Sequence, residues 1–219
     1  GVNATEIGKM ALKSKIRINA QWCAAPGRFL VHESIYDEFV AAFVAAAEQV
    51  HVADGMDPKA DMGPVTSGRR LAAMQHFVSD ALARGGKVAV GGNRIGDHGY
   101  YFAPTLLVNT PLDSAIMIDE PFGPVAVAVP FKTLDEAIEI SNSLSVGLAG
   151  FAFTNSLQEA EHLSRELDLG VLSINHFGAP DPDTPFGGVK DSGIGREGGP
   201  WSLDSYMVSK TVLQRTVRV

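Results

Sequence analysis

Val125-Ala126-Val127-Ala128-Val129-Pro130-Phe131-Lys132-Thr133-Leu134-Asp135-Glu136 decides the fold. Val125 to Val129 is wholly apolar and of strand length, as a strand covered on both faces requires. Thr133-Leu134-Asp135-Glu136 is a capping box, which opens a helix running to about Leu144. Gly150 to Thr154 reads as the next strand. Ser156-Leu157-Gln158-Glu159 is a second capping box, opening a helix that carries Ala160, Leu163 and Leu167, and Val171 to Ile174 is a strand again. Strands alternating with helices imply βαβ units and right-handed crossovers. The fold class is therefore α/β, a mostly parallel sheet with helices on both faces.

Upstream the same alternation is less clean. Ile7, Met10, Ala11 and Ile18 make a weakly amphipathic helix from Thr5 to Ala20, with Asn3 and Glu6 spaced as a capping pair. Phe29-Leu30-Val31 reads as a buried strand. Ser34 is expected to cap a helix over Ile35 to Val50, with Phe39, Val40, Phe43 and Val44 on one face. Leu71, Met74, Phe77, Val78 and Ala81 stripe a helix from Arg69 to Ala83, which Gly85-Gly86 stops. Val88 to Val90 and Tyr101 to Val108 complete the strands of this half. Downstream, Asn175 to Pro200 is about a quarter glycine, too long for an ordinary connector, and is expected to be functional or packed as an Ω-loop. Tyr206 to Val219 reads as one final strand in need of a partner.

Composition narrows the function. The 219 residues carry 18 Lys+Arg against 25 Asp+Glu, a net charge of -7 with no basic patch, which argues against nucleic-acid binding. No run approaches the ~18 apolar residues of a membrane span, and no signal peptide is visible. With one cysteine there is no intrachain disulfide, and a cytoplasmic protein is the simplest expectation. Neither H-x-x-x-H nor C-x-x-C spacing occurs, so no metal site is expected, and His51 and His76 read as helix-surface residues.

Cys23, in Asn19-Ala20-Gln21-Trp22-Cys23-Ala24-Ala25-Pro26, lies between a helix and a strand and is a candidate nucleophile, although free cysteines are more often inert packing residues. His176 follows a strand and is the histidine best placed to pair with it, which would make an acyl hydrolase. No thiol-hydrolase signature surrounds Cys23, however. Gly193-Ile194-Gly195-Arg196-Glu197-Gly198 matches G-x-G-x-x-G but follows a loop, with 21 residues left after it and no acidic residue beyond Asp204, so it is rejected as a dinucleotide site. Asp119-Glu120-Pro121-Phe122-Gly123-Pro124 enters the apolar strand and is able to present a carboxylate and an aromatic ring. Lys190 and Arg196, in the glycine-rich stretch, read as solvated cations or anion ligands.

Together these pieces resemble the aldehyde dehydrogenase family. The match runs in order through Gln21-Trp22-Cys23, Arg28-Phe29, Met62-Gly63-Pro64, Gly91-Gly92, Ala103-Pro104-Thr105, Glu120-Pro121-Phe122-Gly123-Pro124, Asn142 to Gly147 and Pro185 to Gly198. Its style is most like the succinate- and ketoglutarate-semialdehyde branch. The resemblance implies that Cys23 is the nucleophile, passing through a thiohemiacetal and a thioester, with its backbone N–H as half of the oxyanion hole. It implies that Glu120 binds the nicotinamide-side ribose of NAD or NADP and that Phe122 packs beside the nicotinamide. Trp22, His176, Phe177 and the segment to Thr184 would line the aldehyde tunnel, and the tail from Tyr206 would join an intersubunit sheet in a homo-oligomer, dimer or tetramer. Residues 1–205 then form the catalytic domain and 206–219 the oligomerisation tail. The cofactor domain, the general-base glutamate and the oxyanion asparagine that the family places upstream are absent from this sequence. The chain alone is accordingly expected neither to bind nucleotide well nor to oxidise aldehydes. A stand-alone Cys–His thioesterase and a noncatalytic assembly module are the alternatives.

Overall fold

The computed structural model describes residues 2–178 and 181–216. In chain order the elements are α1 (Ala4–Ile16), β1 (Arg28–His32), α2 (Tyr36–Ala47), α3 (Gly68–Ala83), β2 (Lys87–Val90), β3 (Thr105–Val108), α4 (Ala115–Ile118) and β4 (Val125–Phe131). There follow α5 (Leu134–Asn142), β5 (Val146–Gly147), β6 (Ala149–Ala152), α6 (Leu157–Glu166), β7 (Val171–Ile174) and β8 (Val189–Lys190). Short 3₁₀ turns occupy Arg17–Ala20, Glu33–Ile35 and Pro200–Tyr206.

β4 is the centre, as its unbroken apolar run requires. β1 and β3 flank it in parallel, with Arg28 opposite Val127 and Thr105 opposite Val125, and β2 adds antiparallel to β3, giving the order β1-β4-β3-β2. The two-residue period of the strand sorts its side chains by size. Val125, Val127 and Val129 enter a core with Met74, Phe77 and Val78 of α3, Ile116 and Met117 of α4 and Ile140 of α5. Ala126 and Ala128 face α1 and α2 instead, where Phe29, Phe39 and Phe43 meet at centroid distances of 5.6–6.5 Å. Small residues stand where rings press on the sheet. Each fully buried Val or Phe contributes about 1.5–3 kcal/mol, so the two cores dominate the stability of this half. Gly8 lets α1 and α2 touch: a Cβ there would stand 2.7 Å from the Phe39 carbonyl oxygen.

Both capping hydroxyls act as read, but the returning glutamates bond just ahead of the cap residue, Glu136 to Lys132 and Glu159 to Thr154. Thr133 Oγ1 accepts from Glu136 N (3.2 Å) and Ser156 Oγ from Glu159 N (3.2 Å), while the Glu136 carboxylate reaches back to Lys132 N (2.8 Å). Asn3 caps α1 by accepting from Glu6 N (3.0 Å). Ser34 does not cap α2. Its N–H is taken by His32 Nδ1 (3.2 Å) inside a 3₁₀ turn, and α2 starts at Tyr36 and stops at Ala47. His51 therefore lies in a loop rather than on a helix, bonded to Asp57 (2.8 Å). The strand expected from Tyr101 begins only at Thr105, and the helix expected to reach Ala20 ends at Ile16.

The last third builds two further pairs, β6 with β7 in parallel and β5 with β8 antiparallel. β6 stands across from the free edge of β1. Between them lies a slot of about 860 Å³ lined by every residue of both strands. Arg28 crosses towards α5, donating to the Ile140 and Ser141 carbonyls (3.2 and 3.3 Å) at its C-terminal end. Of the tail expected to pair with a second subunit, residues 207–216 are exposed and form no strand within the chain, while 217–219 lie outside the described residues. Among the described residues no helix is long and apolar enough to cross a membrane.

Candidate active site

Cys23 is aimed by a backbone reversal. After α1, Ile18, Asn19 and Ala20 all adopt left-handed conformations, with φ of 51, 56 and 53°. Side chains with a Cβ disfavour that region by about 1–2 kcal/mol each, so the surroundings must hold the elbow in place. Asn19 does so with both ends of its amide: Oδ1 accepts from Gly63 N (2.8 Å) and Nδ2 donates to the Pro64 carbonyl (2.8 Å). Gln21 Oε1 adds a bond from Thr66 N (2.8 Å). Met62-Gly63-Pro64 thus anchors the elbow. The Arg17 guanidinium lies 4.9 Å from the Trp22 ring centroid, and the Trp22 carbonyl accepts from Ala25 N (3.0 Å), closing the turn that presents Cys23 to solvent.

The thiol opens onto a cleft of about 420 Å³. One wall is Trp22, Cys23 and Ala24. The other is Asp181, Pro182, Thr184, Phe186, Glu197 and Gly198. That second wall is a hairpin: Phe186 and Glu197 exchange both backbone hydrogen bonds (2.7 and 2.8 Å), and Thr184 folds back on the Asp181 carbonyl (2.9 Å). Glu197 and Asp181 are the carboxylates of the cleft. Glu197 was not among the residues singled out from sequence as site residues, although it stood in the quoted Arg196-Glu197-Gly198. Its pairing with Phe186 spans a loop whose register no periodicity reveals.

Of the remaining expected residues, Trp22 sits in the cleft with its indole N–H buried and unpartnered. His176 does not line the cleft. It is exposed, and its Nδ1 accepts from Gly178 N (2.9 Å). Phe177 turns to the other side of the sheet, packing on Phe151 and Phe153 at 5.1 and 4.9 Å and lining the slot beside β6. Of the segment from His176 to Thr184, Asp181, Pro182 and Thr184 reach the thiol's cleft; Ala179 and Pro180 lie outside the described residues.

Glu120 and Phe122 occupy the loop entering β4. Glu120 is exposed, and Phe122 is held at φ 43° with the Arg70 guanidinium 5.5 Å from its ring centroid. Arg70 also donates to the Pro121 carbonyl (3.0 Å). Behind this loop lies a group not singled out from sequence, Lys15. It is 1% exposed, its Nζ has no hydrogen-bond partner, and burial lowers its pKa to about 7 against the opposing pull of the Glu120 charge. For a nicotinamide cofactor these residues fit one end only: an exposed carboxylate suited to ribose hydroxyls beside an aromatic ring. Gly193 to Gly198 supplies no second site, since it lies within the hairpin after the two-residue β8 and opens no α-helix. Among the described residues no group of three His, Cys, Asp or Glu is placed to hold a metal ion.

The profile described as "Aldehyde dehydrogenase family" matches residues 2–212. A 4-(hydroxymethyl)benzenesulfonate dehydrogenase of Comamonas testosteroni is 42% identical over 201 residues, covering 92% of this chain and 42% of that protein. The mitochondrial succinate-semialdehyde dehydrogenase of Oryza sativa is 34% identical, over 93% of this chain and 39% of that protein. Among solved structures, betaine aldehyde dehydrogenase of Staphylococcus aureus in complex with NAD+ superposes with a TM-score of 0.89 at 35% identity, covering 94% of this chain and 42% of that one. The chain thus spans about two-fifths of the length of these relatives.

Proposed function

The chain belongs to the aldehyde dehydrogenase family, and from that premise we propose that it carries the thiol half of an NAD(P)-dependent aldehyde oxidation, acting on a small semialdehyde. The observation supporting this most directly is the exposed Cys23 thiol, held by a strained elbow at the mouth of a 420 Å³ cleft. Cys23 as thiolate adds to the aldehyde carbon, forming the C–S bond of a thiohemiacetal. The Cys23 N–H holds the resulting oxygen, a contribution of a few kcal/mol per donor in such sites. A bound nicotinamide cofactor supplies the hydride acceptor. Glu120 would hold its ribose and Phe122 flank its ring, with Arg70 fixing Phe122 in place. Once the acyl group is on sulfur, water adds to it, the C–S bond breaks, and the carboxylate leaves with the thiol restored. Trp22 and Phe186 give the cleft its apolar walls, while Asp181 and Glu197 are the groups within it able to take up a proton.

The oligomer belongs to this reading as well. The exposed 207–216 segment would pair with a second subunit, with 206–219 as assembly tail and 1–205 as catalytic domain. A reducing compartment such as the cytoplasm suits a free thiol. The thioesterase alternative finds no support in the geometry, because His176 does not line the cleft.

Competition at the thiol tests the proposal. Millimolar succinate semialdehyde should slow iodoacetamide labelling of Cys23 saturably, and an activated ester should acylate Cys23 once per chain. Labelling that ignores the aldehyde at every concentration would refute it. Calorimetric titration of the chain with NAD should show no micromolar binding.

A further inference from the structure

Lys190 sits at φ 55°, a conformation that favours glycine and penalises any residue with a Cβ, in a stretch already rich in glycine. The reason for a lysine there is at its tip. Nζ donates to the Asn142 and Leu144 carbonyls (3.0 and 3.1 Å), closing the C-terminal end of α5, and pairs with Asp168 Oδ2 (3.0 Å). Asn142 extends the knot, donating to the Glu166 carbonyl (2.7 Å) and accepting from Asp168 N (2.9 Å). The tip of the hairpin is pinned beside it by Asp191 N to the Ser145 carbonyl (2.8 Å) and Gly147 N to Ser192 Oγ (3.0 Å). Arg196 Nη1 ties its arms together through the Gly188 carbonyl (2.8 Å). At the opposite end, Phe186 and Glu197 face Cys23.

We propose that Lys190 is a positioning residue for the thiol cleft: its ammonium fixes the tip of the 186–197 hairpin to α5 and so sets where Phe186 and Glu197, at its open end, stand over Cys23. Its importance for turnover rests on the proposed aldehyde chemistry, but its effect on the thiol does not. The test therefore uses the thiol alone.

The readout is the ratio of Cys23 alkylation rates with iodoacetate and iodoacetamide. Glu197 and Asp181 repel the anionic reagent alone, and any effect on the thiol itself is common to both reagents and cancels, so the ratio registers how near the carboxylates are. A carboxylate withdrawn from about 6 Å to bulk solvent changes it about threefold at the dielectric constant of water. In Lys190→Met the ratio should rise about threefold, and Lys190→Arg should return it towards wild type. Lys190→Met added to Glu197→Gln should raise it no further, the signature of action through that residue. Arg84→Met, which breaks the ion pairs with Asp80 and Asp113, controls for general loosening and should leave the ratio unchanged. An unchanged ratio in Lys190→Met, an equal rise in Arg84→Met, or no recovery with arginine would each overturn the proposal. If the family chemistry were wrong, the aldehyde competition would fail while these ratios stood.

Discussion

Replacing Lys15 with methionine should make the chain more stable, and more so in acid. The side chain is 1% exposed on α1 and its Nζ has no hydrogen-bond partner. Burial lowers its pKa from 10.5 to about 7, so between those values the unfolded chain binds a proton that the folded chain does not. Stability then rises with pH across that window. At 1.36 kcal/mol per pH unit, the penalty for carrying Lys15 is about 5 kcal/mol at and below pH 7, about 2 kcal/mol at pH 9, and gone near pH 10.5. Methionine has similar length and helix propensity and no charge to desolvate. Replacing a buried charge by a well-packed apolar side chain gains about 1–4 kcal/mol in measured cases. Lys15→Met should therefore exceed wild type by about 3 kcal/mol at pH 6, and the gap should all but close by pH 9, where the penalty is about 3 kcal/mol smaller. Urea unfolding of both chains at the two pH values, followed by circular dichroism, measures the gap directly. A gap that fails to narrow between pH 6 and pH 9, or a variant less stable at pH 6, would refute the reasoning. The first outcome would mean the amine is not desolvated as the fold has it.

Further outcomes follow from the same geometry. Asn19→Ala removes both clamps on the left-handed elbow and should lower stability by about 2 kcal/mol, whereas Asn19→Gly, free of the Cβ penalty, should lose less; thermal melts rank them. Gly170→Ala would put a Cβ 1.7 Å from the Gly187 carbonyl oxygen and force the hairpin away, at a cost of about 1–3 kcal/mol in denaturant unfolding. Cys23→Ser should abolish alkylation and ester acylation while leaving stability within about 0.5 kcal/mol, because the thiol is exposed and packs no core.

Local rules carried the reading as far as contacts are local. The apolar run at Val125 to Val129 and the boxes at Thr133 and Ser156 were decisive because a two-residue period and a three-residue cap are written in neighbouring letters. The elbow was not legible. Ile18 and Ala20 favour right-handed helix, and only bonds to Gly63, Pro64 and Thr66, more than forty positions away, force them out of it. Ser34 failed as a cap for a similar reason, since a neighbouring histidine took the N–H. Cys23 and Trp22 were found from chemistry and family style. Glu197 and Lys15 were missed because one owes its place to hairpin register and the other to being enclosed by the fold, and neither leaves a mark in composition.

The slot between β1 and β6 divides the frame that holds the cleft. Trp22, Cys23 and Ala24 run directly into the four-stranded sheet, while Asp181 to Gly198 hang from the β6–β7 pair, so the jaws that meet over the sulfur belong to different sheets. Their separation is set by how far apart two facing strand edges stand. Zipping those edges together would fix the aperture over the thiol as a clasp fixes a hinge, and the reactivity of one sulfur atom would then gauge the continuity of the sheet beside it.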